Sequence, residues 1–319
     1  MGVLLGLLAA LGWGSADFLA RYATRLIGTY RTLFYMQFIG LSSLSVYLLA
    51  TGQLPRLLET AGWRPWAWCV LVALLNVIGS LALYRAFEIG VLMIVSPIAA
   101  SYAALTVALS LLSGETLSRL RGIGIGLALI GAVFAATSFA SPQEVKAEVS
   151  ERHRQQRLTR GAGLAVFAAV AYGVMFWLLG TQVTPALGGV APIWLIRLVT
   201  PCTLALLATP ARQSLRLRRQ ALAETQFPHS RSRWSLARLR LPSGRGWWLI
   251  AGVGVLDTSA YVANTIGFTT HQIAVVSVLA SLFSTVTVML AWLFLRERLH
   301  WSQWLGVAGI FAGVALVSV

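Results

Sequence analysis

Two charged residues lie deep within long apolar runs of the sequence, where a charge is costly and needs compensation. Asp257 is the twelfth residue of the run 246–268, and Arg197 is the eleventh residue of the run 187–209. If these runs cross a bilayer, a charge at that depth costs about 2.5–3.5 kcal/mol, so it must face a partner or a wet cavity. Two interpretations stay open: an ion pair that only fixes helix packing, or a carboxylate that takes up a proton when the pair opens.

Asp17 is a third charge at shallower depth. It precedes Arg21 by one helical turn, so the two side chains are expected to form an ion pair at a helix end. The alternative is a functional carboxylate. Asp17, Arg197 and Asp257 together form the candidate set for proton coupling.

Polar side chains recur at helical spacing around these charges. Three sets each fall on one helix face: Asn76, Ser80 and Tyr84; Asp257, Tyr261 and Asn264; Ser277, Ser281 and Ser284. Aromatic walls with a few polar groups suit a small-molecule pocket, and interhelical hydrogen bonds are the alternative. The predicted substrate contacts are Trp13, Asn76, Tyr84, Tyr172, Tyr261, Asn264 and Ser281.

The elements that must position these residues are membrane-spanning helices. The chain is 57% apolar and 11% charged, which excludes a soluble enzyme, a nucleic-acid binder and a disordered chain. A spanning helix needs about 20 apolar residues. Ten such runs are predicted, at 2–20, 32–50, 65–87, 91–112, 122–140, 161–180, 187–209, 246–268, 273–295 and 302–319. The pocket is expected between the first, third, fourth, sixth, eighth and ninth of them.

Two polar stretches divide the chain and are predicted to be solvated loops. Residues 141–160 separate the fifth span from the sixth, and residues 210–245 carry nine arginines and no lysine. The predicted organisation is a first five-helix repeat over 1–140, a polar linker over 141–160, and a second repeat over 161–319 that contains the arginine-rich loop.

An internal repeat supports this division. A shift of 182 residues places Glu115 on Glu297, with glycines following at matching positions. Because five is an odd number of spans, the second half enters the membrane from the opposite side. The predicted fold class is therefore all-α, with ten transmembrane helices as two inverted five-helix repeats, an arrangement of secondary transporters with a midplane site.

Several segments resemble the drug/metabolite transporter superfamily, of the EamA type. They are WGSADFLARY at 13–22, YRAFEIG at 84–90, SPIAASYAALTVAL at 96–109 and LFLRERLHWSQWLGVAGIFAGV at 293–314. The resemblance implies a secondary transporter that moves small metabolites or drugs through a central cavity, often as an exporter, and alternating access is the expected mechanism. Proton coupling is expected only if the Arg197–Asp257 pair opens and Asp257 takes up a proton. Arg197 matches an arginine common in the second helix of each half of that family, whereas the first half has Gln37 there.

Other classes fit less well. An intramembrane aspartyl protease would need Asp17 and Asp257 as a dyad, but neither follows Gly-x-Gly directly. No Walker motif is present, so the chain is not expected to pump with ATP. No enzyme activity, cofactor, metal or nucleic-acid partner is expected, and Cys69 and Cys202 are interpreted as buried apolar residues. A non-transporting scaffold or sensor stays open as the alternative function.

The expected location is the plasma (inner) membrane of a prokaryote, with lipid and a small-molecule substrate as partners, as a monomer or homodimer. Orientation is open. With the N-terminus inside, 20 of the 25 basic residues would lie in external loops and four in internal ones. The positive-inside rule therefore favours termini outside, whereas the family resemblance implies termini inside.

Overall fold

The computed structural model describes residues 1–53, 62–89, 92–136, 151–207, 244–295 and 301–318. These residues are helical almost throughout, and none of them lies in a β-strand. The helices are α1 (Gly2–Ile27), α2 (Thr29–Ala50), α3 (Trp63–Ile89), α4 (Leu92–Ala100), α5 (Tyr102–Leu112), α6 (Arg119–Ala136), α7 (Glu151–Leu178), α8 (Thr184–Leu187), α9 (Ala191–Leu207), α10 (Gly244–Phe268), α11 (Ile273–Ser281), α12 (Phe283–Leu295) and α13 (Trp301–Ser318). A π-helix over Leu179–Val183 joins α7 to α8.

The helices follow the predicted spans. Within the described residues, α1, α2, α3, α7 and α10 are long and apolar enough to cross a membrane. Shorter apolar helices lie in the other predicted spans, so each of the ten contains helical structure. Many apolar side chains also point outward, including Leu4, Leu8 and Phe311. The chain is therefore an all-α, multi-pass integral membrane protein.

Two predicted spans are broken, although the sequence predicted continuous helices over 91–112 and 273–295. The breaks lie at Ser101 and Leu282, where the backbone makes tight three-residue hydrogen bonds to Ile98 and Leu279. Serine hydroxyls explain this: Ser101 donates to the Ile98 carbonyl, and Ser281 donates to the Val278 carbonyl, both at 2.7 Å. Each hydroxyl competes for a carbonyl that the next helical N–H would use.

The predicted linker is also partly helical. Residues 151–160 form the first turns of α7 rather than a loop, because Glu, Arg and Gln are good helix formers. Residues 141–150 and most of the arginine-rich loop, 210–243, lie outside the described residues. The predicted repeat boundaries therefore stay predictions.

Glycines let helices of the two halves touch closely. We call α1–α6 the first half and α7–α13 the second half. A Cβ on Gly124 would lie 2.8 Å from the Gly313 carbonyl oxygen. A Cβ on Gly131 would lie 2.7 Å from the Gly306 carbonyl oxygen. In lipid the hydrophobic effect does not drive helices together, and small residues let the helix backbones approach closely enough for van der Waals packing. They pack α6 against α13.

Each helix of the first half and its counterpart in the second half pack against corresponding helices of the other half. Helix α1 packs against α10, α11 and α12, while its counterpart α7 packs against α3, α4 and α5. Likewise α9 packs on α3, and α2 packs on α10. The two halves therefore enclose a common central region, which is where the functional residues meet.

Candidate functional site

A cavity lies where the two halves meet. The empty space measures about 540 Å³ when the open solvent at its mouth is included. Its walls come from α1, α2, α3, α4, α5, α7, α10 and α12. The sequence prediction omitted α2, which contributes Met36 and Gln37 to the wall. Half of the lining residues are aromatic: Trp13, Tyr84, Tyr102, Tyr172, Phe176, Tyr261 and Phe283.

The aromatic rings form one continuous cluster around Trp13. Its ring centroid lies 5.0 Å from that of Tyr261 and 5.5 Å from that of Phe176. Phe176 in turn contacts Tyr102 at 4.9 Å. Edge-on and tilted arrangements at these distances are favourable for aromatic pairs. The cluster gives the cavity rigid apolar walls on several sides.

Arg197 and Asp257 form a buried ion pair, in which Asp257 lines the cavity and Arg197 lies behind it. Their Nη2 and Oδ2 atoms are 2.6 Å apart, and Arg197 is fully buried. The approach lacks the alignment of a hydrogen bond, since both atoms are without a hydrogen-bond partner. The second guanidinium nitrogen donates to Gln37 Oε1 at 2.5 Å, and the guanidinium carbon lies 5.0 Å from the ring centroid of Tyr261. The positive charge is therefore compensated on three sides.

Gly40 on α2 makes room for this arginine. A Cβ at that position would clash with Thr258 Oγ1 and would lie 3.1 Å from the Arg197 side chain. A larger residue would clash with Thr258 first and would crowd the Arg197 side chain. The close approach of α2 to α9 and α10 thus positions the pair.

A second polar group crosses the interface beside the pair. The Tyr261 hydroxyl donates to Asn76 Oδ1 at 2.7 Å, and Asn76 Nδ2 donates to Thr200 Oγ1 at 3.4 Å. Nearby, the Ser80 and Tyr172 hydroxyls are hydrogen-bonded at 2.9 Å. These contacts tie α3 to α7, α9 and α10, and they use hydroxyls that would otherwise be free to bind a ligand.

Asp17 stands apart from these networks. It lines the cavity and is 8% exposed, yet among the described residues its carboxylate has no ion-pair or hydrogen-bond partner. The expected pair with Arg21 is not formed, and that prediction was wrong. The carboxylate faces the cavity, where the charged neighbour acting on it is Asp257, which has the same sign.

The structure divides the predicted site residues into three groups. Cavity-lining residues are Trp13, Asp17, Tyr84, Tyr172, Asp257 and Tyr261. Arg197 and Asn76 contact that wall from behind. Asn264 and Ser281 are buried and lie off the wall: Ser281 bonds to Val278, and both amide atoms of Asn264 lack a partner.

Sequence reasoning missed several wall residues. Phe176 lies one turn after Tyr172, so helical spacing alone could have indicated it. Tyr102 and Phe283 follow the two helix breaks, which the sequence did not predict. Gln37 was noted only as a departure from an arginine, yet it accepts a hydrogen bond from Arg197 across the interface.

A contact at one face of the bundle also joins the halves. The Glu115 carboxylate accepts hydrogen bonds from the Ala274 N–H at 3.1 and 3.2 Å. Ala274 lies in the first turn of α11, whose free N–H groups favour a negative charge. Nearby, Gly180 packs tightly on Ile273, and Gly189 packs tightly on Ile266.

The chain matches a known family over most of its length. A sequence model of the EamA-like transporter family matches residues 1–137 and 234–319, which is more than half of the chain. The chain belongs to the EamA-like transporter family. The resemblance seen in the sequence is confirmed, and with it membership of a family of membrane transporters. Comparison with curated proteins gives no match.

The fold of this EamA-like chain also resembles solved structures. One, titled only as the crystal structure of a protein, has a TM-score of 0.65 at 18% identity, covering 99% of this chain and 94% of its own. This likeness concerns the fold. The family match does not include α7 and α9, which supply Tyr172, Phe176 and Arg197. Their part in the cavity is therefore known from the structure.

Proposed function

We propose that the protein is a secondary transporter that carries a small organic molecule through the central cavity by alternating access. The supporting observation is the cavity itself, which lies between the two halves and has a wall contributed by both. A site between two repeats is accessible from either side when one repeat rocks against the other. Corresponding helices of the two halves make corresponding contacts with the other half, which supports such a motion.

We infer that the cavity opens toward one face of the bundle and is blocked toward the other. We call the face with Gly28 and Ile89 the mouth face, because Met36 and Tyr84 line the cavity near that end of α2 and α3. Toward the opposite face, which we call the closed face, Leu179, Phe268 and Leu279 fill the space and are almost fully buried. The Glu115–Ala274 contact lies at the same face and joins the two halves there.

Proton coupling and export are the finer parts of the proposal. Asp17 and Asp257 both line the cavity, and an unpaired carboxylate at membrane depth is costly unless a proton or another cation neutralises it. Asp17 has no partner among the described residues, so it is the stronger proton carrier of the two. Export, a prokaryotic inner membrane and the inverted orientation of the halves are expectations from the family resemblance and the sequence repeat.

The test blocks the cavity without removing a functional group. Leu83→Trp places an indole on the cavity wall, whereas Leu74→Trp makes the same change on a lipid-exposed face of the same helix. Both are reconstituted in proteoliposomes with an imposed pH gradient, and uptake of radiolabelled aromatic amines, amino acids and quaternary ammonium compounds is measured. We expect the wild type and Leu74→Trp to accumulate at least one compound, and Leu83→Trp to lose that uptake.

Equal uptake by both variants would place the pathway elsewhere. Absence of uptake by the folded wild type for every compound would favour the alternative of a non-transporting scaffold or sensor. An ionophore that collapses the pH gradient tests coupling separately: it should abolish accumulation while leaving exchange of labelled for unlabelled compound.

A further inference from the structure

We propose that the cavity selects organic cations that carry an aromatic or similarly flat apolar group. The inference rests on the proposed function only for the movement of the cation, because the recognition argument concerns binding. It combines three observations: an unpartnered carboxylate on the wall, a positive charge that is already compensated, and a ring of aromatic faces.

The charge balance of the wall is negative. Asp257 is matched by Arg197 at 2.6 Å, so this pair contributes little net charge to the cavity. Asp17 is unmatched among the described residues, is more than nine-tenths buried and lines the cavity. At the rim, Arg85 and Glu88 neutralise each other at 2.8 Å. A ligand with one positive charge would therefore complete the balance, whereas an anion would meet an unmatched carboxylate.

Arg197 is not available to bind an anion. Its side chain is 1% exposed, and its guanidinium is held by Asp257, Gln37 and the ring of Tyr261. A carboxylate or phosphate group on a ligand would have to displace one of these partners. The arginine is thus a built-in part of the wall and not a docking point.

The hydroxyl donors of the wall are also occupied. Tyr261 donates to Asn76, and Tyr84 donates to the Met36 sulfur. Tyr172 and Ser80 bond to each other. The Ser80–Tyr172 bond uses one of its two hydroxyl protons, and Tyr261 and Tyr84 use theirs, so the wall offers few free hydroxyl donors to a ligand anion.

The aromatic cluster contributes to recognition of the cation together with the Asp17 carboxylate. Cations bind favourably over the faces of Trp, Tyr and Phe rings within about 6 Å of the centroid. Arg197 already makes such a contact with Tyr261 at 5.0 Å, on the outer side of the wall. Trp13 and Tyr261 stand nearly perpendicular, at 83°, so a cation beside Asp17 meets ring surfaces in more than one direction.

The experiment measures binding to the purified full-length protein in lipid nanodiscs. The probe is radiolabelled benzyltrimethylammonium, whose charge does not depend on pH, and the competitors are benzyl alcohol and benzoate. We expect saturable binding of the cation, with both competitors needing concentrations at least about tenfold higher than unlabelled cation for displacement. Equal displacement by benzoate or benzyl alcohol, or no saturable cation binding, would overturn the proposal.

Variants locate the charge that matters. Asp17→Asn should weaken cation binding by about tenfold or more, because it removes the unmatched carboxylate. Asp17→Glu should retain it. The double variant Arg85→Gln with Glu88→Gln is the matched control. It removes one carboxylate outside the cavity together with its ion-pair partner, so the net charge is unchanged and binding should be unchanged. Unchanged affinity in folded Asp17→Asn would overturn the proposal. If Asp17→Asn does not fold, the competition series on the wild type and Asp17→Glu decides.

Failure of the proposed function gives a different result. If benzyltrimethylammonium binds as expected but proteoliposomes do not move it, transport is refuted and cation recognition stands. If proteoliposomes transport benzoate or a neutral compound and the cation neither binds nor competes, transport stands and cation selectivity is refuted.

Discussion

The two halves place different chemistry at equivalent positions. A shift of 181 residues brings Asn76 onto Asp257, and a shift of 160 brings Gln37 onto Arg197. The second half therefore has an ion pair where the first half has two amides. The difference is complementary, because Gln37 accepts a hydrogen bond from Arg197, and Asn76 accepts one from Tyr261. Amides of the first half thus accept hydrogen bonds from the guanidinium and from a tyrosine hydroxyl of the second half.

The same comparison distinguishes the two ends of the cavity. A shift of 159 residues brings Asp17 onto Phe176, and a shift of 181 brings Leu83 onto Asn264. Asp17 and Leu83 line the cavity, whereas Asn264 is fully buried with both amide atoms unpartnered. An unpartnered buried amide is unusual, and it fits a side chain that is hydrated in another conformation. The halves share a framework but present different chemistry to its two ends.

The largest effect is expected from breaking the charge pair on one side only. Asp257→Asn leaves Arg197 buried without a counter-charge and should lower the free energy of unfolding by about 3–5 kcal/mol. Adding Arg197→Gln gives the second half the same two amides, Asn and Gln, that the first half has at these positions. The double variant should recover much of the lost free energy of unfolding. Thermal unfolding of the three proteins in the same detergent measures this. A double variant no more stable than the single one would contradict the comparison.

The Asp257→Asn variant also tests the role of that carboxylate in coupling. If Asp257 carries the proton, the folded variant should lose uptake driven by a pH gradient while retaining substrate exchange. If the pair is only a packing device, the folding yield should fall while the transport rate per folded molecule stays unchanged.

A smaller effect is expected from crowding the arginine. Gly40→Ala would push a methyl group against Thr258 and Arg197, and overpacking of this kind costs about 1–3 kcal/mol. Gly126→Ala is the control, because a Cβ there meets nothing within 4 Å. Unfolding temperatures of the two variants should separate clearly. Equal stability would mean that α2 does not position the pair.

The sequence predicted the main features of the fold, because length and hydropathy are enough to locate spans. It also predicted that Arg197 and Asp257 lie at similar depth. It did not predict the breaks at Ser101 and Leu282, which depend on serine hydroxyls taking particular carbonyls. It expected Asp17 to pair with Arg21, whereas Asp17 lines the cavity. Helical spacing shows which residues share a helix face but not which part of the protein that face contacts.

The buried amide offers a third test. Asn264→Leu gives the second half the residue that the first half has at Leu83. Removing an unpartnered amide should stabilise the described conformation by up to about 1–3 kcal/mol. If Asn264 is hydrated when the closed face opens, the same change should slow transport. Higher stability with an unchanged transport rate would show that the amide has no part in opening.

The smallest effect concerns the contact at the closed face. Glu115→Gln keeps an acceptor for the Ala274 N–H but removes the charge at the start of α11, so stability at neutral pH should change by less than about 1 kcal/mol. Burial raises the pKa of the Glu115 carboxyl, although the Ala274 N–H and the Ser110 hydroxyl oppose the shift. The folded state then holds the proton more tightly than the unfolded state. This stabilisation is fully present below the ordinary pKa and is lost as the pH rises through the raised pKa.

Unfolding measured across mildly acidic pH checks this sign. The wild type should lose a small part of its stability as the pH rises through that window, and Glu115→Gln should lack the change. An opposite slope that the variant removes would contradict the assignment.

The central claim is that the two ends of the cavity open in turn. It is tested most directly by single cysteines at Leu83 and Asn264, in a background with Cys69 and Cys202 replaced by alanine, using a membrane-impermeant thiol reagent applied from each side of oriented vesicles. The account predicts that Leu83→Cys reacts only from the mouth face and Asn264→Cys only from the closed face. It also predicts that any condition that increases the labelling rate of one cysteine decreases the labelling rate of the other. Both rates rising together, or Asn264→Cys staying unreactive from the closed face during turnover, would contradict it.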